Sequence, residues 1–579
     1  VNLFKFFHEK VITALNQLQN DGDIPLEADF SKVACEPPKD TRHGDMATNA
    51  AMVLAKVVGK APMVIAQKIS EKLALDPSVQ SADIAAPGFV NLTLKPHIWQ
   101  NHLNDILSLG TSYGDSSIGK NSTVNIEFVS ANPTGPLHAG HARIAVVGDV
   151  LASLLKKAGY QVIKEYYIND AGGQVETLAR SLYLRYLQAL GNFDGNIPEG
   201  LYPGDYLIPV GQSIADKDGP KWADQPEAAW LDYFKATAVD EMMKLIKDGL
   251  AALGVELDVY SFEHQLVEAG KVNEAIENLK AKDLVYIGTI DPPKGMVIED
   301  WESKPQLLFR ATLFGDDLDR PLQKSDGSWT YFANDIAYHY DKYTRSSANL
   351  INVWGADHIG YVKRTMAAVK AISNDKAVLD VIICQLVNLL EQGETIKMSK
   401  RAGSFITLKS IVEEVGKDVL RFMMLTRKND MPLDFDFAAV KEFSKENPVF
   451  YVNYAYARCS SVLRQAAEAG IQETSVDLNV LKDPQELLVI KKLAEWPRIV
   501  EMAAILHEPH KIAFYLYDLA SHFHVLWHKG KEDSSLRFIL DGDLHLSLAR
   551  LKLVHGVRTV IASGFLIFGI TPLEEMFDK

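Results

Sequence analysis

The chain has 579 residues, 47% of them apolar and 23% charged, a composition that implies several globular domains and leaves no room for extensive disorder. Its net charge of −15 argues against global attraction to nucleic acid, although local basic stripes on an acidic chain still bind phosphate selectively. Cys35, Cys384 and Cys459 lie far apart, which excludes a CxxC-type zinc site and suits the reducing cytoplasm, and no run of about 18 apolar residues suggests a membrane span.

Leu3, Phe4, Phe7, Val11, Leu15 and Leu18 recur at helical spacing and predict an opening amphipathic helix, with Glu9 inside it ruling out a signal-peptide core. A strand is predicted over residues 30–34, helices from 45 and over 62–75, and an edge strand over 87–94. Residues 1–112 therefore read as an α/β accessory module closed by the polar stretch 110–117. From about residue 120 strands and helices alternate: strand 124–129, helix 142–158 stopped by Gly159, strand 161–168, then a helix-rich segment. That alternation implies a parallel sheet. Residues 191–226 read as a Gly/Pro/Asp-rich insertion or loop, and 227–283 as helix. Short strands follow at 284–287, 296–298, 307–311, 329–332, 350–354 and 381–387. From 446 to 579 the pattern is helical throughout, with aromatics and basic residues interleaved at 518–531.

Two stretches carry chemistry. The first runs from Asn125 to Arg143: a strand, the turn Asn132-Pro133-Thr134-Gly135-Pro136, and a helix N-terminus beside His138, Gly140 and His141. Unpaired backbone N–H groups and the helix dipole suit an anion there. Alone, it reads equally well as a surface turn. The second is Lys397-Met398-Ser399-Lys400-Arg401, which suits a mobile cationic clamp over a leaving pyrophosphate, or else a plain solvated loop.

Together, HAGH at 138–141 and KMSK at 397–400 resemble the paired HIGH and KMSK words of class I aminoacyl-tRNA synthetases. The contexts FVSANPTGPLHAGH and KMSKRAG, the extra N-terminal module, Tyr331 with Asp335, and YVNYAYAR resemble the arginyl-tRNA synthetase family in particular, over essentially the whole chain. The resemblance implies a Rossmann-like parallel-sheet α/β catalytic domain at 113–445, between an N-terminal α/β accessory domain at 1–112 and an all-α anticodon-binding domain at 446–579. It implies ATP, L-arginine and tRNA(Arg) as substrates, Mg²⁺ arriving on ATP with no protein-held metal, and a cytoplasmic monomer. By the family's pattern His138, His141, Lys397 and Lys400 are catalytic, and Pro136, Gly140, Met398 and Ser399 join them around ATP. Glu127, Ser130, Asn132, Tyr331 and Asp335, with Asp357 and His358 after the next strand, line the arginine pocket. The KMSK word is intact, whereas many arginyl enzymes have a degenerate one, so dependence of adenylate formation on bound tRNA stays open. Nothing in 191–226 suggests an editing domain. The rival readings are another class I synthetase, such as the cysteinyl or glutamyl enzyme, a HIGH-motif nucleotidyltransferase making a small cofactor, and an inactive RNA-binding paralogue.

Overall fold

The structure is a computed structural model and describes residues 2–290, 300–396, 406–442, 444, 446–472 and 474–576. The strand predicted at 296–298 and the residues Lys397, Met398, Ser399 and Lys400 lie outside the described residues.

The N-terminal module packs helices α1 (Leu3–Asn20), α2 (Ala50–Val58) and α3 (Pro62–Leu73) on an antiparallel sheet of order β1-β2-β4-β3, built from β1 (Cys35–Glu36), β2 (Met46–Thr48), β3 (Val79–Ala85) and β4 (Phe89–Leu94). Three expectations shift. The strand expected at 30–34 forms at 35–36, because Asn49 fixes the preceding turn by accepting from Ala34 N–H at 2.8 Å. Residues 46–48 pair as a strand before α2 begins at Ala50. Strand β4 is interior, not an edge: β2 and β3 both bond to it, and Val90 and Leu92 are buried. After α4 (Pro96–Leu109) the chain enters the central sheet.

That sheet has five parallel strands in the order β12-β11-β5-β6-β7. They are β5 (Thr123–Phe128), β6 (Gln161–Ile168), β7 (Val259–Phe262), β11 (Asn349–Gly355) and β12 (Val378–Cys384). The connections run outward from β5 on one side through β6 to β7, and on the other through β11 to β12. The strand order therefore reverses at β5, and ligands in such sheets bind beyond the strand C-termini at that point. Helix α5 (Ala139–Lys157) crosses β5 so closely that a Cβ at Gly148 would lie 2.2 Å from the Phe128 ring. The helix starts three residues earlier than its apolar pattern suggests, because His138 caps it.

Residues 191–226 are not merely a loop. They contain α7 (Ile208–Asp218), which packs with α6 (Gly173–Ala189) and α8 (Glu227–Ala252) around Tyr186, Trp230 and Phe234. The long helical reading of 227–283 misses β7, whose four residues are too few for an alternation signal; α9 (Glu263–Glu268) and α10 (Lys271–Lys280) follow it. An antiparallel sheet β10-β9-β8, made of β8 (Val285–Gly288), β9 (Gln306–Phe309) and β10 (Arg320–Gln323), forms a second core with α10, α11 (Tyr331–Arg345) and α12 (Val362–Ser373). Tyr331 and Phe332, expected in a strand, open α11 instead, because Thr330 accepts from Ala333 N–H as its N-cap.

Beyond β12, strands β13 (Val387–Glu391), β14 (Glu394–Thr395) and β15 (Leu433–Asp436) form a small sheet, with α13 (Leu408–Val415) and α14 (Lys417–Met423) between β14 and β15. The C-terminal bundle comprises α15 (Pro448–Glu468), α16 (Pro484–Ala494), α17 (Trp496–Ile505), α18 (His510–Glu532) and α19 (Leu544–Phe568). Helix α19 is long and apolar enough to cross a membrane by length and composition alone, but 67% of its most apolar window is buried inside the protein. It packs against α4, α15, α16 and α18, and its Arg550 is paired with Glu486 at 2.7 Å.

Candidate active site

Strand β5 is buried on both faces, including Asn125 and Glu127. It ends in two successive left-handed residues, Val129 (φ 70°) and Ser130 (φ 39°). For a β-branched residue this conformation is strained, by about 1–3 kcal/mol, and tertiary contacts hold it. The kink delivers Ser130 Oγ between two elements: it donates to Glu127 Oε1 at 3.0 Å and accepts from Tyr167 N–H at 3.1 Å. Tyr206, from the segment before α7, donates to Thr134 O at 2.8 Å, and a Cβ at Gly135 would lie 3.0 Å from its hydroxyl. The Gly/Pro turn is thus clamped by the segment that the sequence leaves as loop.

His138 and His141 form a reciprocal cap on α5. Gly140 N–H donates to His138 Nδ1 at 3.2 Å, and His138 N–H donates to His141 Nδ1 at 3.2 Å. Both Nδ1 atoms are acceptors, so in the neutral rings the proton sits on Nε2. The rings lie 4.0 Å apart and are tilted by 39°. A Cβ at Gly140 would meet the His138 ring at 3.1 Å, so glycine there makes room for the histidine as well as for a ligand. This histidine-capped helix start lies at the C-terminal end of β5, the switch point of the sheet. Pro136 is half-buried beside it.

The far side of the KMSK loop joins this site directly. Thr407 bridges to His138, and Leu408 N–H donates to Leu137 O at 2.7 Å. On the near side, Ile396 N–H donates to Leu389 O at 2.9 Å. The segment that follows the KMSK word in sequence is therefore paired with the HAGH word by its backbone.

Glu127 begins a chain of buried hydrogen bonds that reaches the other arm of the site. Lys342 on α11, fully buried, donates to Glu127 Oε2 at 2.9 Å and to Asn352 Oδ1 at 2.8 Å. Asn352 Nδ2 donates to His339 Nε2 at 2.9 Å, and His339 Nδ1–H donates to Asp335 O at 2.8 Å. Burial first, then the Lys342 charge, pushes His339 down to about 4, which agrees with this neutral tautomer. Below this layer Glu165 accepts from Asn125 and Ser261, each at 2.7 Å, and from Arg345. Burial would raise its pKa, but Lys342 and Arg345 hold it below the usual glutamate value. Strands β5, β6, β7 and helix α11 are thereby cross-linked under the site.

A cleft of about 290 Å³ opens above β6 and β7, lined by Gly172, Glu263, Lys324, Trp329, Tyr331 and Asn334, among others. Tyr331 is one of the expected site residues and is 44% exposed here; a Cβ at Gly172 would lie 3.8 Å from its hydroxyl. Asn132 is exposed near the cleft and donates to Gln174 Oε1 at 2.8 Å. Asp357 and His358, 3.6 Å apart and exposed, follow β11 and so lie on the opposite side of β5 from the cleft. Sequence reasoning missed Lys342, Glu263, Asn334 and Tyr206. No local pattern marks them, although the spacing of Tyr331, Asp335 and Lys342 along one helix could have suggested the last of these.

This arrangement, a parallel sheet with a histidine-capped helix at its switch point and Thr407 paired to that cap, is that of a class I aminoacyl-tRNA synthetase catalytic domain. Residues 102–189 and 232–442 match the family described as "tRNA synthetases class I (R), catalytic domain". Residues 5–94 match "Arginyl tRNA synthetase N terminal domain", and 452–576 match "DALR anticodon binding domain". The chain is 55% identical over 581 residues to an arginine–tRNA ligase of Ruegeria pomeroyi and 53% identical over 591 residues to one of Rhodospirillum rubrum, covering 100% of each chain in both cases. A putative arginyl-tRNA synthetase structure from Campylobacter jejuni superposes with a TM-score of 0.72 at 31% identity, covering 83% of this chain and 100% of that one. The Thermus thermophilus arginyl-tRNA synthetase shares the fold, with a TM-score of 0.75 over 99% of this chain at 21% identity. The chain belongs to the arginyl-tRNA synthetase family.

Proposed function

We propose that the chain activates L-arginine with ATP and transfers it to the 3′ end of tRNA(Arg), with the domains divided at 1–112, 113–445 and 446–579. The arginine carboxylate attacks the α-phosphate, pyrophosphate leaves, and a terminal ribose hydroxyl of the tRNA then displaces AMP from the carbonyl. No covalent enzyme intermediate forms, so the work lies in positioning and electrostatics. The observation that carries this reading is the histidine cap at the start of α5, with the exit of the KMSK loop bonded to it. His138 and His141 donate from Nε2 to ATP phosphate oxygens, the missing side chain at Gly140 lets the nucleotide approach the backbone, and Pro136 shapes the turn. Lys397 and Lys400, with Met398 and Ser399 between them, close over the departing pyrophosphate. Mg²⁺ enters on ATP as part of the substrate.

Ser130 and Asn132 hold the amino and carboxylate end of arginine next to the phosphate. Tyr331 and Asp335 hold its side chain, and Glu127 supplies negative potential from beneath while Lys342 keeps it in place. Each Glu127 oxygen already accepts one hydrogen bond and has capacity for another. Asp357 and His358 stand at the rim on the β11 side. The N-terminal module contacts the outer corner of the tRNA and the C-terminal bundle its anticodon, in a cytoplasmic monomer.

ATP–pyrophosphate exchange with each amino acid, with and without tRNA, tests the reading. Arginine-dependent exchange is expected, and exchange only with another amino acid would sink it. Asp335→Ala is expected to raise the arginine KM far more than the ATP KM; an unchanged arginine KM removes Asp335 from the pocket.

A further inference from the structure

Four arginines among the described residues are buried. Three have a carboxylate partner: Arg320 pairs with Asp316 at 2.7 Å, Arg421 with Asp149 at 2.6 Å and Arg550 with Glu486 at 2.7 Å. Arg143 differs. It is fully buried on α5, two residues after His141, and the partners of its guanidinium among the described residues are three backbone carbonyls. Nη1 donates to Gln385 O at 3.0 Å and to Met431 O at 2.7 Å, and Nη2 donates to Lys428 O at 2.9 Å.

A buried guanidinium without a countercharge is unfavourable, and an apolar side chain of similar volume would fill the space at less cost. What arginine adds is geometry: a planar fork of donors that can hold carbonyls of separate segments at set distances from one helix. The three carbonyls lie at the root of the small sheet. Gln385 follows β12 and stands two residues before β13, while Lys428 and Met431 lie on the approach to β15. The first residues of β13 and β15, Val387 and Leu433, pair with each other. Their approaches are bonded too, Gln385 N–H to Asn429 O at 2.8 Å and Leu433 N–H to Leu386 O at 3.0 Å. From that root β13 runs out and β14 turns back along it, pairing Thr395 with Leu390, and the KMSK word begins two residues after Thr395. After the word, Thr407 and Leu408 pair with His138 and Leu137. The sheet that leads into the word and the segment that leaves it are thus both tied to the helix that carries the two histidines.

We propose that Arg143 is a positioning residue for amino-acid activation, which sets the small sheet, and with it the strand leading into the KMSK word, at a fixed distance from the His138–His141 cap. A misplacement of about 1 Å between groups that act on one transition state costs on the order of a hundredfold in rate. The lysines of the word act on charge that develops as pyrophosphate leaves, so a displaced sheet lowers kcat and leaves the binding of ATP and arginine in place. Lysine at this position keeps the charge, but its compact ammonium cannot span the three carbonyls as the fork does. The inference rests on the reading that the two words serve one ATP.

The test is Arg143→Lys in the full-length protein, with Arg143→Met beside it, each alone and combined with Lys400→Ala. ATP–pyrophosphate exchange in the presence of tRNA gives kcat and the two KM values, and circular dichroism reports folding. The expected result for Arg143→Lys is a kcat lowered about tenfold or more, with the ATP and arginine KM values within twofold of wild type. Arg143→Met is expected to lose at least as much. Lys400→Ala is expected to cost much less in either background than in wild type, because the lysine is already misplaced. A kcat for Arg143→Lys within twofold of wild type overturns the proposal. So does a rise of either KM in step with the fall in kcat, or an equal cost of Lys400→Ala in all backgrounds, each of which marks a merely structural role. Failure of both variants to fold overturns it as well, since the residue then holds the protein together rather than setting a distance. Lys400→Ala without effect on wild-type exchange refutes the reading on which the inference rests, a result separate from any outcome at Arg143.

Discussion

Arg421 sits where three parts of the molecule meet, and its removal has a calculable consequence. The side chain, on α14 and 1% exposed, donates to Asp149 Oδ2 on α5 at 2.6 Å, to Leu253 O after α8 at 3.1 Å, and to Phe568 O at the end of α19. Arg421→Met keeps most of the volume but leaves the Asp149 carboxylate, itself buried, without its main partner. Breaking such a pair from one side costs about 3–5 kcal/mol. Asp149 keeps Lys164 at 3.1 Å, which places the expected loss near the lower end, ~3 kcal/mol, or about a hundredfold in the folding equilibrium. Urea unfolding followed by far-ultraviolet circular dichroism measures the loss. The double variant Arg421→Met with Asp149→Leu removes both charges and is expected to recover at least half of it, because Lys164, 14% exposed, can turn to solvent. A single variant within ~0.5 kcal/mol of wild type would refute the argument that an unpaired buried charge sets the loss. A double variant as unstable as the sum of the singles would refute it equally.

Two further outcomes follow from the same structure. Gly148→Ala drives a Cβ into the Phe128 ring at 2.2 Å, and the overpacking is expected to destabilise by about 1–3 kcal/mol and to reduce exchange activity by displacing the histidine-capped end of α5; a thermal melt and exchange rate equal to wild type would show that helix and strand separate freely. Burial, aided by the nearby Asp170 charge and opposed by Tyr167 and Asn334, raises the pKa of Glu263, and a guanidinium bound in the cleft it lines would lower it again. Arginine binding therefore releases a proton, and affinity falls as pH drops through the raised pKa of the empty pocket. The arginine KM is expected to rise toward acid pH in wild type and to rise less in Glu263→Gln, and identical pH profiles for the two would contradict this linkage.

The parts legible in the sequence are those encoded locally. Strand β6 forms at residues 161–168 as expected, and the HAGH word caps a helix after a strand because turn, cap and apolar run all lie within 20 consecutive residues. The all-helical C-terminal region shows through its aromatic and aliphatic periodicity. Local signals misled where pairing partners are distant. Residues 46–48 carry a helical composition but are claimed by β1 and β4. Tyr331 sits in a β-like run but begins α11, because Thr330 caps it. At Val129 the sequence points away from the truth, since a β-branched residue is a poor choice for positive φ; the Ser130 bonds to Glu127 and Tyr167 hold it there.

By itself the sequence determined the family: two four-residue words and their surroundings mark a histidine-capped helix start after a strand and the synthetases that share both words. Tertiary structure alone decided which residues share the pocket. Lys342 meets Glu127 across 215 positions, and Tyr167 meets Glu263 across 96, because parallel strands must be joined by long crossovers that set sequence neighbours apart and bring strangers together. The charge balance of a buried site depends on these meetings. Glu127 has a cationic partner and Glu263 is held by the neutral Tyr167 and Asn334, a difference that no local pattern of residues carries.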